Sequence, residues 1–242
     1  MRKPFYLFVF LFFLALDGFA QGNWGGGVDD DPHHFGFIFQ YVSTEFKVIK
    51  KSSWREPYAL EEGLFSDSLY SISAPVSPGF GFGFVSNLRM GNNADLRITP
   101  ALIFADRLLD YEYKDRVRQQ IVQTTVVDFP LGIKLKSDRR NNFRAYIIGG
   151  AKYSIDIVSK KKTEDSDKIL IEQLLKNTKN NLCYEAGVGF DLYFEFFKMS
   201  PEIKLSNSFK SVLKRSEDPN HPYSAPIDKL FLRNLQFSLY FE

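Results

Sequence analysis

An all-β fold, a single antiparallel barrel of eight strands, is what this sequence predicts, and three observations predict it. Segments of alternating apolar and polar residues recur along the chain, which is the period of a strand with two unlike faces. The apolar positions are rich in rings: the 242 residues include 25 Phe and 12 Tyr, and in GFGFGFVSNLR (79–89) phenylalanine alternates with bare backbone. Long and short connections between the segments also alternate in step. Mean hydropathy is nonetheless only −0.22, because alternation dilutes every apolar residue with a polar one.

The elements follow in order. Arg2 and Lys3, the apolar run from Phe5 to Leu16, and Gly18 and Ala20 ahead of Gln21 read as a cleaved signal peptide over residues 1–20. The run is shorter than the roughly 20 apolar residues of a membrane-spanning helix. Residues 21–32, QGNWGGGVDDDP, read as a flexible periplasmic lead-in, and 33–242 as the barrel. Its first strand sets Phe35, Phe37, Phe39 and Tyr41 against Gly36, Ile38 and Gln40. The second sets Phe80, Phe82, Phe84 and Leu88 against Gly79, Gly81, Gly83 and Asn87. Then come Leu96, Ile98, Leu102 and Phe104 against Arg97, Thr99 and Ala101, and Val127 to Leu135 against Asp128, Gly132 and Lys134. The fifth sets Phe143, Ala145, Ile147, Ala151 and Tyr153 against Arg144, Tyr146 and Lys152. The last three are Leu182 to Phe194 against Glu185, Gly187, Gly189 and Asp191; Met199, Ile203 and Leu205 against Glu202 and Lys204; and Leu235 to Phe241 against Asn234, Gln236, Ser238 and Tyr240.

The connections at Lys47–Ser77, Val158–Asn181 and Lys210–Asp228 are long, and LDYEYKDRVRQ is intermediate. MGNNAD, SDRRNN and EFFK are short. Short periplasmic turns with longer outer loops are the habit of outer-membrane barrels.

Alternation alone does not say which face points inward. A soluble barrel would bury the rings, but an eight-strand interior is only just wide enough for side chains to fill, and these Phe rows would overfill it. Rings outward, toward lipid, meet no such limit. The glycines at 79, 81, 83, 187 and 189 then leave space inside for long neighbours. The candidate lumen charge network is Arg97, Lys134, Arg144, Lys152, Glu185, Asp191, Glu202 and Lys204, with both signs available for pairing. The candidate lipid-facing rings are Phe37, Phe39, Phe80, Phe82, Phe84, Phe190, Phe237 and Phe241. A register slip of one residue would push Arg97 or Lys152 toward lipid, at about 2–4 kcal/mol each near the midplane. The sequence therefore predicts an outer-membrane barrel with a packed polar lumen, its chain exported through the inner membrane. LQFSLYFE closes on an alternating aromatic strand, as chains delivered to outer-membrane assembly usually do, with Glu242 departing from an aromatic last residue.

Few residues offer chemistry. Lys and Arg total 31 against 29 Asp and Glu, which gives no basic face for nucleic acid. Asp29, Asp30, Asp31, His33 and His34 include metal-ligand types, but adjacent histidines entering a strand point to opposite faces. His221 and Ser224 in DPNHPYSAP offer a base and a hydroxyl, but in a proline-stiffened loop with no recognisable nucleophile motif. Lone Cys183 has no partner for a disulfide and no neighbour in sequence to activate it. No catalytic, cofactor-binding or metal residue is assigned, and no enzyme activity, cofactor or small-molecule substrate is expected. In the outer loops, Trp54, Tyr58, Phe65 and Tyr70 sit among acids, as interface residues or as a cover for the barrel. Lys160, Lys161 and Lys162 precede Ser166 and Asp167, which cap a predicted amphipathic helix carrying Ile169, Leu170, Ile171, Leu174 and Leu175.

PGFGFGFVSNLRMGNNADLRITPALIF, VVDFPLGIKLKSDRRNNFRAYIIGGAKYSIDI and GVGFDLYFEFFKMSPEIKLS resemble the PorT family, called SprT in gliding bacteria. The similarity runs from about His33 to Glu242. It implies an outer-membrane barrel required for type IX protein secretion, and for gliding motility where present, with protein partners in that machinery. It supplies no site residues. Two other functions fit the residues: a structural or adhesion barrel acting through its outer loops, and a lipid hydrolase at the rim.

Overall fold

The computed structural model describes residues 27, 29, 31–57, 59–61, 64–65, 67–157, 175–215 and 221–242. The signal peptide, most of the lead-in, Lys160–Lys162, Tyr58 and the predicted helix up to Leu174 lie outside the described residues.

The strands, in chain order, are β1 (His33–Lys50), β2 (Ala59–Glu61), β3 (Leu64–Phe65), β4 (Ser71–Ser73), β5 (Ser77–Arg89), β6 (Ala94–Ile98), β7 (Ala101–Glu112), β8 (Val117–Lys136), β9 (Phe143–Asp156), β10 (Lys176–Asn177), β11 (Asn180–Tyr193), β12 (Lys198–Ser208), β13 (Leu213–Lys214) and β14 (Ile227–Phe241). β6 and β7 form one stave: Ile98 and Ala101 lie opposite Ser86 and Gly83 of β5, and opposite Leu131 and Asp128 of β8, in a single register on each side. Pro100, which has no N–H to give, interrupts it; its carbonyl still accepts from Phe84 N at 3.0 Å. The antiparallel pairings then run β1, β5, β6/β7, β8, β9, β11, β12, β14 and back to β1, where Phe37 meets Phe241. Eight staves close into a ring, and no stave has a free edge along its whole length.

The turns at one end are tight. Met90 N donates to Ala94 O, Phe194 N to Phe197 O, and Arg140 N to Phe143 O, each at 2.9 Å. The last turn uses Asn141 at φ 53°, a left-handed conformation that asparagine tolerates better than most residues.

Inside and outside follow residue parity. Phe37, Phe39, Phe80, Phe82, Phe84, Phe190 and Phe237 project outward and are exposed. Phe241 is half-buried on the same wall, its ring 6.3 Å from those of Phe39 and Phe197. In the half of the barrel near the short turns, most inward positions are polar, with Ile38, Val85 and Tyr240 forming a small apolar cluster among them.

Toward the long loops the pattern inverts. Phe46, Leu109, Tyr111, Ile227, Leu230 and Leu232 point inward and form an apolar core with Ile72, Leu175, Val212 and Tyr223. Outward neighbours at that level are Glu45, Lys47, Asp106, Gln119, Gln123 and Lys229. The physical reason is the solvent: a wall in hydrocarbon must be apolar outside, whereas one in water buries its apolar side chains inward. The packed polar lumen is therefore confined to the membrane storey.

The inversion also corrects the strand limits. LDYEYKDRVRQ, expected as an intermediate loop, is mostly strand: β7 and β8 pair as far as Glu112 and Val117, and only a turn of residues 113–116 joins them. β8 begins pairing with β9 at Val126, so residues 117–125 rise above that neighbour. Above the membrane the outward positions are mixed, Asp106, Asp110, Glu112, Gln119 and Gln123 standing beside Leu108, Val117 and Ile121, so apolar-out alternation fades and the sequence reads as loop.

Candidate functional site: the plugged lumen

The lumen of the membrane storey is filled by charges whose placement comes from strand parity. Asp95 and Arg97 on β6, Asp128, Lys134 and Lys136 on β8, Lys152 on β9, Glu185 and Asp191 on β11, and Lys198, Glu202 and Lys204 on β12 all point inward and are buried. Most of their contacts join different strands, and Glu202 and Lys204 also meet along β12. Lys152 Nζ lies 2.9 Å from Asp128 and 3.4 Å from Glu185. Glu185 and Glu202 both reach Lys204, at 3.4 and 3.5 Å. Glu202 also meets Arg97 at 3.1 Å and accepts from Tyr146 and Tyr240 hydroxyls at 3.0 and 2.8 Å. Lys134 grips Asp191 at 2.7 Å, and Ser200 donates to the same carboxylate at 2.6 Å. Lys136 pairs with Asp95 at 2.7 Å.

Small residues make the room. A side chain at Gly189 would collide with the Tyr146 ring, which lies across the lumen under the Arg97 and Lys134 cations.

Of the eight candidate network residues, the structure brings seven into this plug. Arg144 is the exception: it sits at the short-turn rim and pairs with Asp29 at 3.3 Å, because its position on β9 is one inward step below Tyr146. Asp128, Asp95, Lys136, Lys198 and Glu242 belong to the plug although sequence reasoning did not place them there. Parity was the available signal, since each shares the face of a residue already chosen on its strand or just beyond it.

Glu242 carries the most unexpected part. Its side chain turns inward below Tyr240 and is fully buried. Arg97 approaches it to 3.6 Å and His34 to 3.5 Å, and Asn87 and Lys198 also bond it. Backbone bonds in both directions with Lys198, at 2.7 and 2.9 Å, hold the residue in the β12 ladder.

The described part of the lead-in is not free. Asp29 accepts from Tyr193 Oη at 2.6 Å, and its carbonyl accepts from Arg89 at 2.8 Å. Burial alone would raise the Asp29 carboxyl pKa; the Tyr193 hydrogen bond and the Lys198 and Arg144 charges overcome this and hold it below the ordinary value. Asp29 of the lead-in is thus held against the short-turn rim.

Among the described residues no group of His, Cys, Asp and Glu is arranged to hold a metal. His33 points outward and bonds Ser86 at 3.0 Å, while His34 points into the lumen. His221 is buried in the outer cap, where its Nδ1 accepts from the backbone N–H groups of Tyr223 and Ser224 at 3.3 and 3.2 Å. That nitrogen is occupied in holding the turn. Cys183 is buried in the lumen, with Asn181 Nδ2 at 3.2 Å from its sulfur. Trp54 packs against the apolar core with Lys50 and Arg55 over its ring, whereas Tyr70 is exposed.

A closed ring of eight strands, with rings outward and charges inward, defines an outer-membrane β-barrel. The model of the family described as outer membrane protein beta-barrel domain matches residues 34–214, and the chain belongs to that family. It resides in the outer membrane. No curated protein matches the chain in sequence. Among solved structures it is similar to the outer membrane protein OprG from Pseudomonas aeruginosa, at 12% identity and a TM-score of 0.45, over 92% of this chain and 97% of that one. It is also similar to Neisserial surface protein A, at 6% identity and a TM-score of 0.40, over 87% and 98%. Ail of Yersinia pestis is a third, at 8% identity and a TM-score of 0.34, over 87% and 98%.

Proposed function

We propose that this outer-membrane barrel is a non-catalytic accessory component of protein export, acting through its surfaces rather than its interior. The observation that carries this reading is the double plug: buried ion pairs fill the membrane storey, and the apolar core around Tyr111, Tyr223 and Leu230 fills the storey above. An eight-strand barrel is already too narrow for a folded protein, and this one is packed at both levels. The type IX secretion machinery is the assembly proposed, and its support is the resemblance of residues 78–104, 126–157 and 187–206 to the PorT family. In that reading the outer loops, the short turns or the lipid-facing wall bind secretion components and stabilise them.

The test is to crosslink the native protein in isolated outer membranes and identify what co-purifies, alongside export in a deletion strain. Co-purified secretion components together with lost export support the proposal; unaffected export of type IX cargo removes it. Lost surface attachment with normal export would transfer the function to the outer loops.

A further inference from the structure

We infer that one wall of the barrel, where β12, β14 and β1 reach the outer membrane surface, binds the phosphate groups of an anionic glycolipid in the outer leaflet. This surface is separate from the plug.

The wall is built by register. Lys47 of β1 lies opposite Phe231 of β14, and Glu45 lies opposite Arg233. Arg233 in turn faces Asn207 of β12. These positions all point outward, since the alternate ones (Phe46, Leu230, Leu232) are in the core. Lys229 is two positions from Phe231 on the same outward face and is exposed, as is Lys47. Lys47, Arg233 and Lys229 therefore surround the Phe231 ring, with diagonal neighbours in such a pair about 7–8 Å apart. Lys210 follows Phe209, whose ring lies 5.2 Å from that of Tyr184. Below this level the same wall carries Tyr41, Leu235, Phe237 and Leu205, all exposed and apolar.

Aromatic rings above an apolar band mark the membrane interface of such barrels, so Lys47, Arg233 and Lys229 sit at headgroup height. Among the described residues they meet little negative charge. Arg233 pairs with Glu45 at 3.1 Å, while Lys47, Lys229 and Lys210 have no ion-pair partner among the described residues. The neighbouring β7 wall differs, presenting Asp106 and Asp110 outward. A one-sided cluster with cations in excess at the membrane surface is complementary to phosphorylated headgroups, at about 1 kcal/mol per cation, or about fivefold in affinity each.

The experiment uses the folded full-length chain reconstituted in phosphatidylcholine vesicles containing a bis-phosphorylated lipid A or its dephosphorylated counterpart. After mild detergent extraction and gel filtration, the glycolipid retained per protein is measured by mass spectrometry. The phosphorylated lipid should be retained well above the dephosphorylated one. K47Q/K229Q should lower that retention by about tenfold or more, and D106N/D110N should leave it unchanged. Both lysines are exposed and unpaired among the described residues, so the double variant is expected to fold; its heat-resistant gel mobility verifies this. Displacement by inorganic phosphate alone would show a free-anion site and overturn the lipid assignment. Equal retention of both lipids, or of either by K47Q/K229Q and the parent, would overturn the proposal outright.

Discussion

Gly36 on β1 and Glu242 beyond β14 fit together as notch and peg: a Cβ at Gly36 would lie 2.9 Å from Glu242 Cγ and would strike the Phe241 carbonyl. The missing side chain lets Glu242 pass the β1–β14 seam and turn its carboxylate into the lumen. Gly36→Ala should therefore disturb this seam, at about 1–3 kcal/mol for an overpacked site. Urea unfolding in lipid vesicles measures the change. An unaltered midpoint would mean that the seam opens without strain.

The peg joins four staves through His34, Asn87, Arg97 and Lys198. Glu242→Gln keeps its shape but leaves buried cations short of a counter-charge. Breaking one side of a buried pair costs about 3–5 kcal/mol. The expected result is a fall in the temperature at which the folded band converts to the unfolded band on a gel. Arg116→Gln, whose partner Asp67 is exposed like itself, should change it by less than about 1 kcal/mol.

The two storeys predict opposite sensitivities. Phe82→Arg places a cation in hydrocarbon, at about 2–4 kcal/mol near the midplane, and should reduce insertion into vesicles. Phe46→Ala empties a place in the outer apolar core, at about 3–5 kcal/mol. It should leave insertion intact while exposing the cap to protease. Identical behaviour of the two variants would contradict the storey boundary.

The Asp29 anchor should depend on acidity. Its folded-state pKa is depressed, so the anchoring free energy is present above the ordinary carboxylate value of about 3.9 and is lost as pH falls through the lower folded value. Proteolysis of the lead-in by an acid-tolerant protease should accelerate only in that acidic window. Asp29→Asn should show the faster cleavage already at neutral pH.

His221→Ala and Ser224→Ala should leave the lipid composition of the outer membrane unchanged, since His221 Nδ1 is engaged by backbone N–H groups. Lipid mass spectrometry of complemented cells checks this. Disappearance of a lipid product in both variants would instead mark the cap as a hydrolase.

The sequence by itself determined which residues face out and which face in wherever the wall crosses hydrocarbon. There period two is enforced by solvent on one side and a narrow interior on the other, so Phe80, Phe82 and Phe84 against glycine, and Arg97 against Leu96 and Ile98, could be read without coordinates. Only the tertiary structure decided what those faces meet. Lys152 meets Asp128 through the register of the β8–β9 hairpin, whereas Lys134 finds Asp191 because barrel closure turns β8 toward β11, and no local spacing encodes that second meeting. The upper halves of β7 and β8 were illegible for a different reason: in water the apolar side chains point inward, so the signal that names a membrane strand reverses sign there. Glu242 combines both cases, since parity aims it inward but only the gap at Gly36 and the cations of other strands give it a place.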